Sequence, residues 1–189
     1  MPQQSVYARL AFDYLKQGAE DKVFNAGQKT LQLNPENVDV LALMAMLIPR
    51  RVDTTALSAD QQLTRAETYA KQAITLIPSL PKPATITDEE FAKAKNDKLA
   101  MAHSGLGMVY FQRQRYADSA NEYTQATTLA AQVDPADLFM LGVSLQNGKK
   151  FSEAADAFGK CAEVAWAWQD NCKKQQDVAK KSAAAAPKP

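Results

Sequence analysis

The sequence predicts an all-α protein built from repeated helical hairpins, and three observations carry that reading. Two Leu-Gly pairs, Leu106-Gly107 and Leu141-Gly142, stand 35 residues apart. Behind each pair, apolar and small residues recur at helical spacing. They are Tyr110, Tyr116, Ala120, Tyr123 and Ala126 in one copy, and Leu145, Phe151, Ala154, Phe158 and Cys161 in the other. Proline, glycine and capping residues then fall at the ends of these periodic runs. A small residue lets the two helices of a hairpin approach closely, and aromatics fill the space around that contact.

The first repeat is read over about 4–37. Tyr7, Leu10-Ala11, Tyr14 and Gly18 form its first helix and turn, and Val23, Gly27, Thr30, Leu33 and Pro35 its second. Gly18 supplies the positive φ of a tight helix end. Pro35 cannot continue a helical ladder. Gly27 stands where the later copies carry an aromatic, which makes the packing there closer or looser.

Val38 to Ile48 opens a second repeat, with Leu41, Met44-Ala45 and Ile48 on one face and Pro49 expected to end the helix. Its partner helix, Leu63, Ala66, Ala70, Ala73 and Leu76, comes late, giving a repeat over 38–78 with an insertion at 49–60. Small residues make the insertion countable: Ala11 to Ala45 is 34, Ala45 to Gly107 is 62, and Gly107 to Gly142 is 35. The middle interval therefore carries 28 extra residues, nine between the helices and 19 between Pro78 and Ala100.

Ser58-Ala59-Asp60-Gln61 has the form of a capping box, starting the delayed helix near Ala59. Pro78, Pro81 and Pro83 make 79–87 a stiff, extended loop. Thr87-Asp88-Glu89-Glu90 is a second capping box, with Ile86 and Phe91 placed as a hydrophobic staple. It predicts a long helix from Asp88 to Arg113, opening a repeat over 88–133. Asp134 as N-cap and Pro135 in the first turn open the last repeat, 134–165, whose first helix is expected to end at Gly148. A capping helix over 168–182 follows, with Trp168, Cys172, Gln175 and Ala179 inward and Lys173, Lys174, Lys180 and Lys181 outward. Residues 183–189 are expected to be a disordered tail. All of 1–182 is read as one domain.

The composition of the 189 residues, 46% apolar and 23% charged, is that of a globular chain with a core. A net charge of +1 gives no general attraction to nucleic acid. The longest apolar run, Val40 to Ile48, is nine residues, against the roughly 20 of a membrane span. Met1 to Ser5 lacks the blocks of a signal peptide. The compartment is cytoplasmic if Met1 is the native start, and periplasmic or extracellular if the chain is a trimmed or mature form.

No constellation points to catalysis. His103 lacks convergent partners, so packing or a surface hydrogen bond accounts for it. Asp88, Glu89 and Glu90 are explained by capping. Neither a phosphate-binding glycine loop nor a nucleophile motif is present. The reading is of a non-enzyme without metal or cofactor. Cys161 and Cys172 flank the turn at Ala165 to Trp168 almost symmetrically, which brings a disulfide within reach; two buried thiols fit equally well. Trp166 and Trp168 read first as the seal of a core end and second as a binding surface.

Both copies resemble the tetratricopeptide repeat family, of bacterial type, over roughly 4–165. The resemblance implies a right-handed α-solenoid of about four hairpins with a C-terminal capping helix, acting as a protein-interaction scaffold. In that family the first helices line a concave groove. Carried over by offset, the ligand-facing positions are Ala8 and Phe12, Ala42 and Met46, Ser104 and Met108, Phe139 and Val143, with Gln112 a turn further on. Family members that grip a carboxyl terminus use a Lys/Asn/Arg clamp at these places, and this sequence lacks it. Its groove is apolar and rich in Phe and Met, suited to a peptide or protein segment held by side-chain packing. Two other occupants stay open, the chain's own Pro-rich insert and a second copy. The alternative function is a self-assembling structural subunit, an oligomer or filament joined through repeat ends and inserts.

Overall fold

The structure, a computed structural model, describes residues 3–185. Among them all regular structure is helical and no strand occurs. The helices are α1 (Gln3–Lys16), α2 (Glu20–Leu33), α3 (Val38–Arg51), α4 (Ala59–Leu76), α5 (Asp88–Gln112), α6 (Tyr116–Leu129), α7 (Pro135–Asn147), α8 (Phe151–Glu163) and α9 (Gln169–Ala185). A 3-10 turn, Ile77–Ser79, extends α4. Consecutive helices pack on one another in a repeat-like manner. The chain falls into two compact units, Met1–Leu106 and Gly107–Pro189, divided within α5.

Three hairpins close with one and the same turn. Gly18, Gln114 and Lys149 hold φ of 67°, 57° and 60°. The amide after each donates to the carbonyl five residues back: Ala19 to Tyr14 (3.0 Å), Arg115 to Tyr110 (2.8 Å), Lys150 to Leu145 (2.9 Å). Each of those residues then opens the second helix with ψ 65°. This is a Schellman ending, in which the left-handed residue lets the last carbonyls find donors. α7 stops at Asn147 with Gly148 as its C-cap, as expected, but the left-handed residue of the turn is the next one. Gly148 has φ −76°, and Lys149 takes the left-handed position because the turn is phased from Leu145. For a residue with a Cβ that conformation costs about 1–2 kcal/mol.

In the first unit α1 and α2 pack through Ala11, Val23 and Ala26 onto Leu43 of α3. Gly27 accepts the buried Met44 side chain, whose Sδ lies 2.5 Å from where a Cβ would stand. The packing there is close rather than loose. α3 starts on Asn37, whose Oδ1 accepts from Val40 N at 3.1 Å. It does not stop at Pro49 but runs to Arg51 with Pro49 inside. A proline near a helix end removes one N–H, here the donor for the Ala45 carbonyl. Gly105 of α5 lies against that carbonyl, and a Cβ on it would be 2.8 Å from Met46 N. The backbone of α5 thus packs directly on that of α3.

The expected cap at Ser58 is absent. Its backbone is already helical, with ψ 0° and no side-chain cap bond, so the hydroxyl cannot reach the N3 amide; it accepts from Gln62 Nε2 at 3.1 Å instead. At α5 the box forms. Thr87 N and Oγ1 both donate to Glu90 Oε2 (2.8 and 3.0 Å), and Glu90 N donates to Thr87 Oγ1 (3.1 Å).

The second unit repeats its own packing. Tyr123 of α6 lies on Gly107, its ring 3.0 Å from a would-be Cβ, and Phe158 of α8 lies on Gly142 at 2.6 Å. Both glycines and both rings are 35 residues apart. Buried Ser119 Oγ donates to Gly107 O at 2.8 Å and sits 2.8 Å from Ser144 Oγ, tying α5, α6 and α7. α9 covers α8 through Cys172 and Ala179, both buried. It continues to Ala185, three residues past the expected end at 182, since Ser182 and Ala183 are half-buried and alanine propagates a helix well. The rest of the expected disordered tail, 186–189, lies outside the described residues.

Candidate functional site

The positions carried over from the resemblance divide between the units. In the first, Phe12 and Met46 are half-buried on the cluster of Ala11, Val23, Ala26 and Leu43. Ala8 is half-buried, whereas Ala42, 1% exposed, belongs to the core and presents nothing. Ser104 is buried too; its hydroxyl accepts from Arg50 Nη2 at 3.4 Å. In the second unit Met108 and Gln112 are half-buried on α5. Val143 packs on the cluster around Leu145 and Phe158.

Phe139 is not an open surface residue. Its ring meets Phe158 at 5.6 Å, Trp166 at 6.5 Å and Trp168 at 5.7 Å, all edge-to-face. The two indoles stack on each other at 6.4 Å with 26° between planes. Trp168, expected to face inward, is 51% exposed. Trp166, half-buried, takes the inner place and Trp168 the outer. Cys161 and Cys172 are bridged, their Cα atoms 5.8 Å apart and both side chains buried. The bridge clamps the base of the loop that carries the tryptophans.

His103 is half-buried on α5 and has an interaction partner. Among the described residues no group of three or more His, Cys, Asp or Glu could hold a metal ion, and no helix is long and apolar enough to cross a membrane. Two carboxyls titrate below their usual range, each for a local reason. Glu90 is held down by the amide and then the hydroxyl of Thr87, and Asp53 by the hydroxyl and then the amide of Thr55. Both order backbone turns.

Two features were not singled out from the sequence. Arg51 pairs with Asp21 at 2.8 Å and Glu20 at 3.7 Å while lying 4.7 Å over the Phe24 ring, which fastens α3 to α2. Leu57, in the connection before α4, is fully exposed. A lone leucine inside a polar insert is the signal that could have flagged it. No family model matches the chain, and no curated protein matches it.

Proposed function

We propose that the chain is a non-enzymatic interaction scaffold of the tetratricopeptide type, a right-handed solenoid whose first helices take up a peptide or protein segment on an apolar concave face. The observation that carries this reading is the recurrence of one hairpin. The Schellman turn at Gly18, Gln114 and Lys149 and the glycine-on-ring contact at Gly107 and Gly142 repeat the tetratricopeptide logic. Phe12 and Met46 in one unit, and Met108 and Val143 in the other, are half-buried apolar side chains on first helices. They fit a ligand recognised by packing, with methionine giving adaptability. Met108→Glu tests this against Lys174→Glu on the exposed face of α9. With helicity unchanged in both, Met108→Glu should lose the proteins that the parent chain captures from lysate and Lys174→Glu should keep them. Equal capture by the two variants overturns the reading.

A second function, a self-assembling subunit, is favoured by the exposure of Leu57 in the insert and Trp168 at the last turn. Large exposed apolar side chains at two remote points of a sequence suit heterologous contacts between copies. Light scattering that grows without limit with concentration supports it, and a constant small mass removes it.

A further inference from the structure

We propose that α9 is a redox-conditional latch: the Cys161–Cys172 bridge holds it on α8, and reduction of that bridge by a dithiol releases it while the hairpins of the second unit stay folded. The inference goes beyond both functional readings and rests on neither. It begins with how little α9 buries. Of its 17 residues only Cys172 and Ala179 are buried. The half-buried positions along the same helix, Gln169, Gln175, Gln176, Ser182 and Ala183, are polar or small. Val178, its one branched apolar side chain, is 47% exposed. A helix is ordinarily fixed to its neighbour by an apolar stripe, and here the largest buried apolar group is the half-cystine itself.

The facing side of α8 adds little more. Gly159 meets Gln176 Nε2 at 2.6 Å from where a Cβ would stand, and Ala155 shares a cluster with Ala179. Such close approach gains dispersion contacts but removes little apolar surface from water. Gln169 Nε2 donates to Ala162 O at 2.9 Å. Lys173 pairs with Asp170 of α9 itself, and among the described residues no ion pair joins α9 to α8. The bridge is therefore a covalent tether across a contact short of apolar area.

Both sulfurs are fully buried, so a reductant reaches them only when α9 lifts. With so few side chains buried along it, that opening is local and does not require the unit to unfold. A thiolate of the dithiol then attacks Cys172 Sγ, on the helix that lifts, and forms a mixed disulfide. The Cys161–Cys172 bond breaks, and Cys161 leaves as a thiolate that takes up a proton. The reagent's second thiol displaces Cys172, so the dithiol ends as a cyclic disulfide and its electron pair and protons pass to the two cysteines. Cys161 Sγ lies 3.4 Å from the Pro135 carbonyl, which is an acceptor in place for the new thiol. With the tether gone, α9 departs as a Lys-rich helix and uncovers α8 around Gly159 and Ala162. The end of the second unit is thus closed under oxidising conditions and open where a dithiol system operates.

Amide hydrogen exchange of the full chain is the test, comparing bridged, dithiothreitol-reduced and reoxidised protein, with free thiols counted by alkylation and mass. Reduction in native buffer should speed exchange in α9 by about a hundredfold, the loop-closure contribution of such a bridge, while α6 and α7 change by less than about threefold. Reoxidation restores the protection. Trypsin should cut the reduced chain first within α9, after Lys173, Lys174, Lys180 or Lys181, and leave the bridged chain whole there. Cys161→Ser/Cys172→Ser should match the reduced parent with or without reductant, and circular dichroism checks that it folds. An α9 that keeps its protection without the bridge overturns the proposal, because packing alone would then hold it. So does a loss spread evenly over α6, α7 and α9, which would make the bridge a support of the whole unit. A bridge that dithiothreitol opens only in denaturant overturns it as well.

Discussion

Two glycines, one in each unit, mark close helix approaches and are built on different principles. Gly142 faces a side chain, with Phe158 Cε1 2.6 Å from the position of a Cβ. Gly105 faces main chain, the carbonyl of Ala45 and the amide of Met46. A ring can tilt within its pocket, but a backbone moves only if its helix moves. The ring contact recurs with the 35-residue period, at Gly107 and Gly142. The backbone contact occurs at the junction where that period breaks. There Pro49 strips the Ala45 carbonyl of its helical donor, and a helix from the far side of the insert packs on the freed, buried oxygen. Regular repeats are held by side chains filling gaps left by small residues. The irregular junction is held by two main chains in contact.

The largest expected effect breaks this comparison directly. Gly105→Ala should destabilise the first unit by about 3 kcal/mol or more, at the upper end of overpacking costs, while Gly142→Ala should stay nearer 1–2 kcal/mol because Phe158 can yield. Urea unfolding measures both. Equal losses, or a larger loss at Gly142, would show that ring and backbone resist alike.

Covalent closure sharpens the contrast. The second unit ends in a bridged loop with a sequence separation of 11, and cross-linking a loop of about that length contributes roughly 3 kcal/mol in the chain-entropy account. Cys161→Ser/Cys172→Ser should cost about that much, with hydrogen exchange rising in α8 and α9 while α1 to α4 are unchanged. Faster exchange in α1 and α2 would contradict the division into units.

How much of this was legible follows the same line. The helices of the second unit, their small-residue contacts and the two capping signals at Thr87 and Asp134 could be read from spacing, because each depends on residues near in sequence. Pro49 was misread. Proline forbids a helix interior, yet it is tolerated where the freed carbonyl meets another backbone, and no local pattern announces Gly105. Phe139, a ligand position by offset, is half-buried and meets the rings of Trp166 and Trp168. Those two rings lie past the end of the repeat pattern, so spacing within the repeats does not announce the contact. Ser58 has the composition of a cap without the backbone geometry, which spacing alone does not reveal.

The shared turn offers a smaller test. Gly18 meets the left-handed position without a Cβ, whereas Gln114 and Lys149 occupy it with one. Replacing either by glycine relieves that conformation and should gain up to about 1 kcal/mol, and Gly18→Ala should lose a similar amount. Thermal melts of the three variants settle whether the turns are equivalent. A loss at Lys149→Gly would mean that its side chain stabilises the turn in some other way.

The smallest effect concerns how the second helices and α5 begin. α2, α6 and α8 open without a side-chain cap, relying on the Schellman turn, whereas α5 follows the long insert and opens on Thr87 and Glu90. Of these four starts, only that of α5 is closed by a carboxylate bonded to the backbone of its N-cap residue. Because the Glu90 carboxyl titrates below its usual range in the folded chain, its contribution is fully present above the ordinary glutamate range. It fades as pH falls through that range, where the unfolded chain takes up the proton first, and is gone once the folded carboxyl is itself protonated. Acidification should therefore increase amide exchange in the first turn of α5 before it affects the first turns of α6 and α8. Glu90→Gln, which keeps an acceptor at N3 but cannot ionise, should flatten that response. The same acid response in the Gln variant would place its origin elsewhere, with Glu89 and the Asp88–Lys82 pair the other charges at that end of the helix.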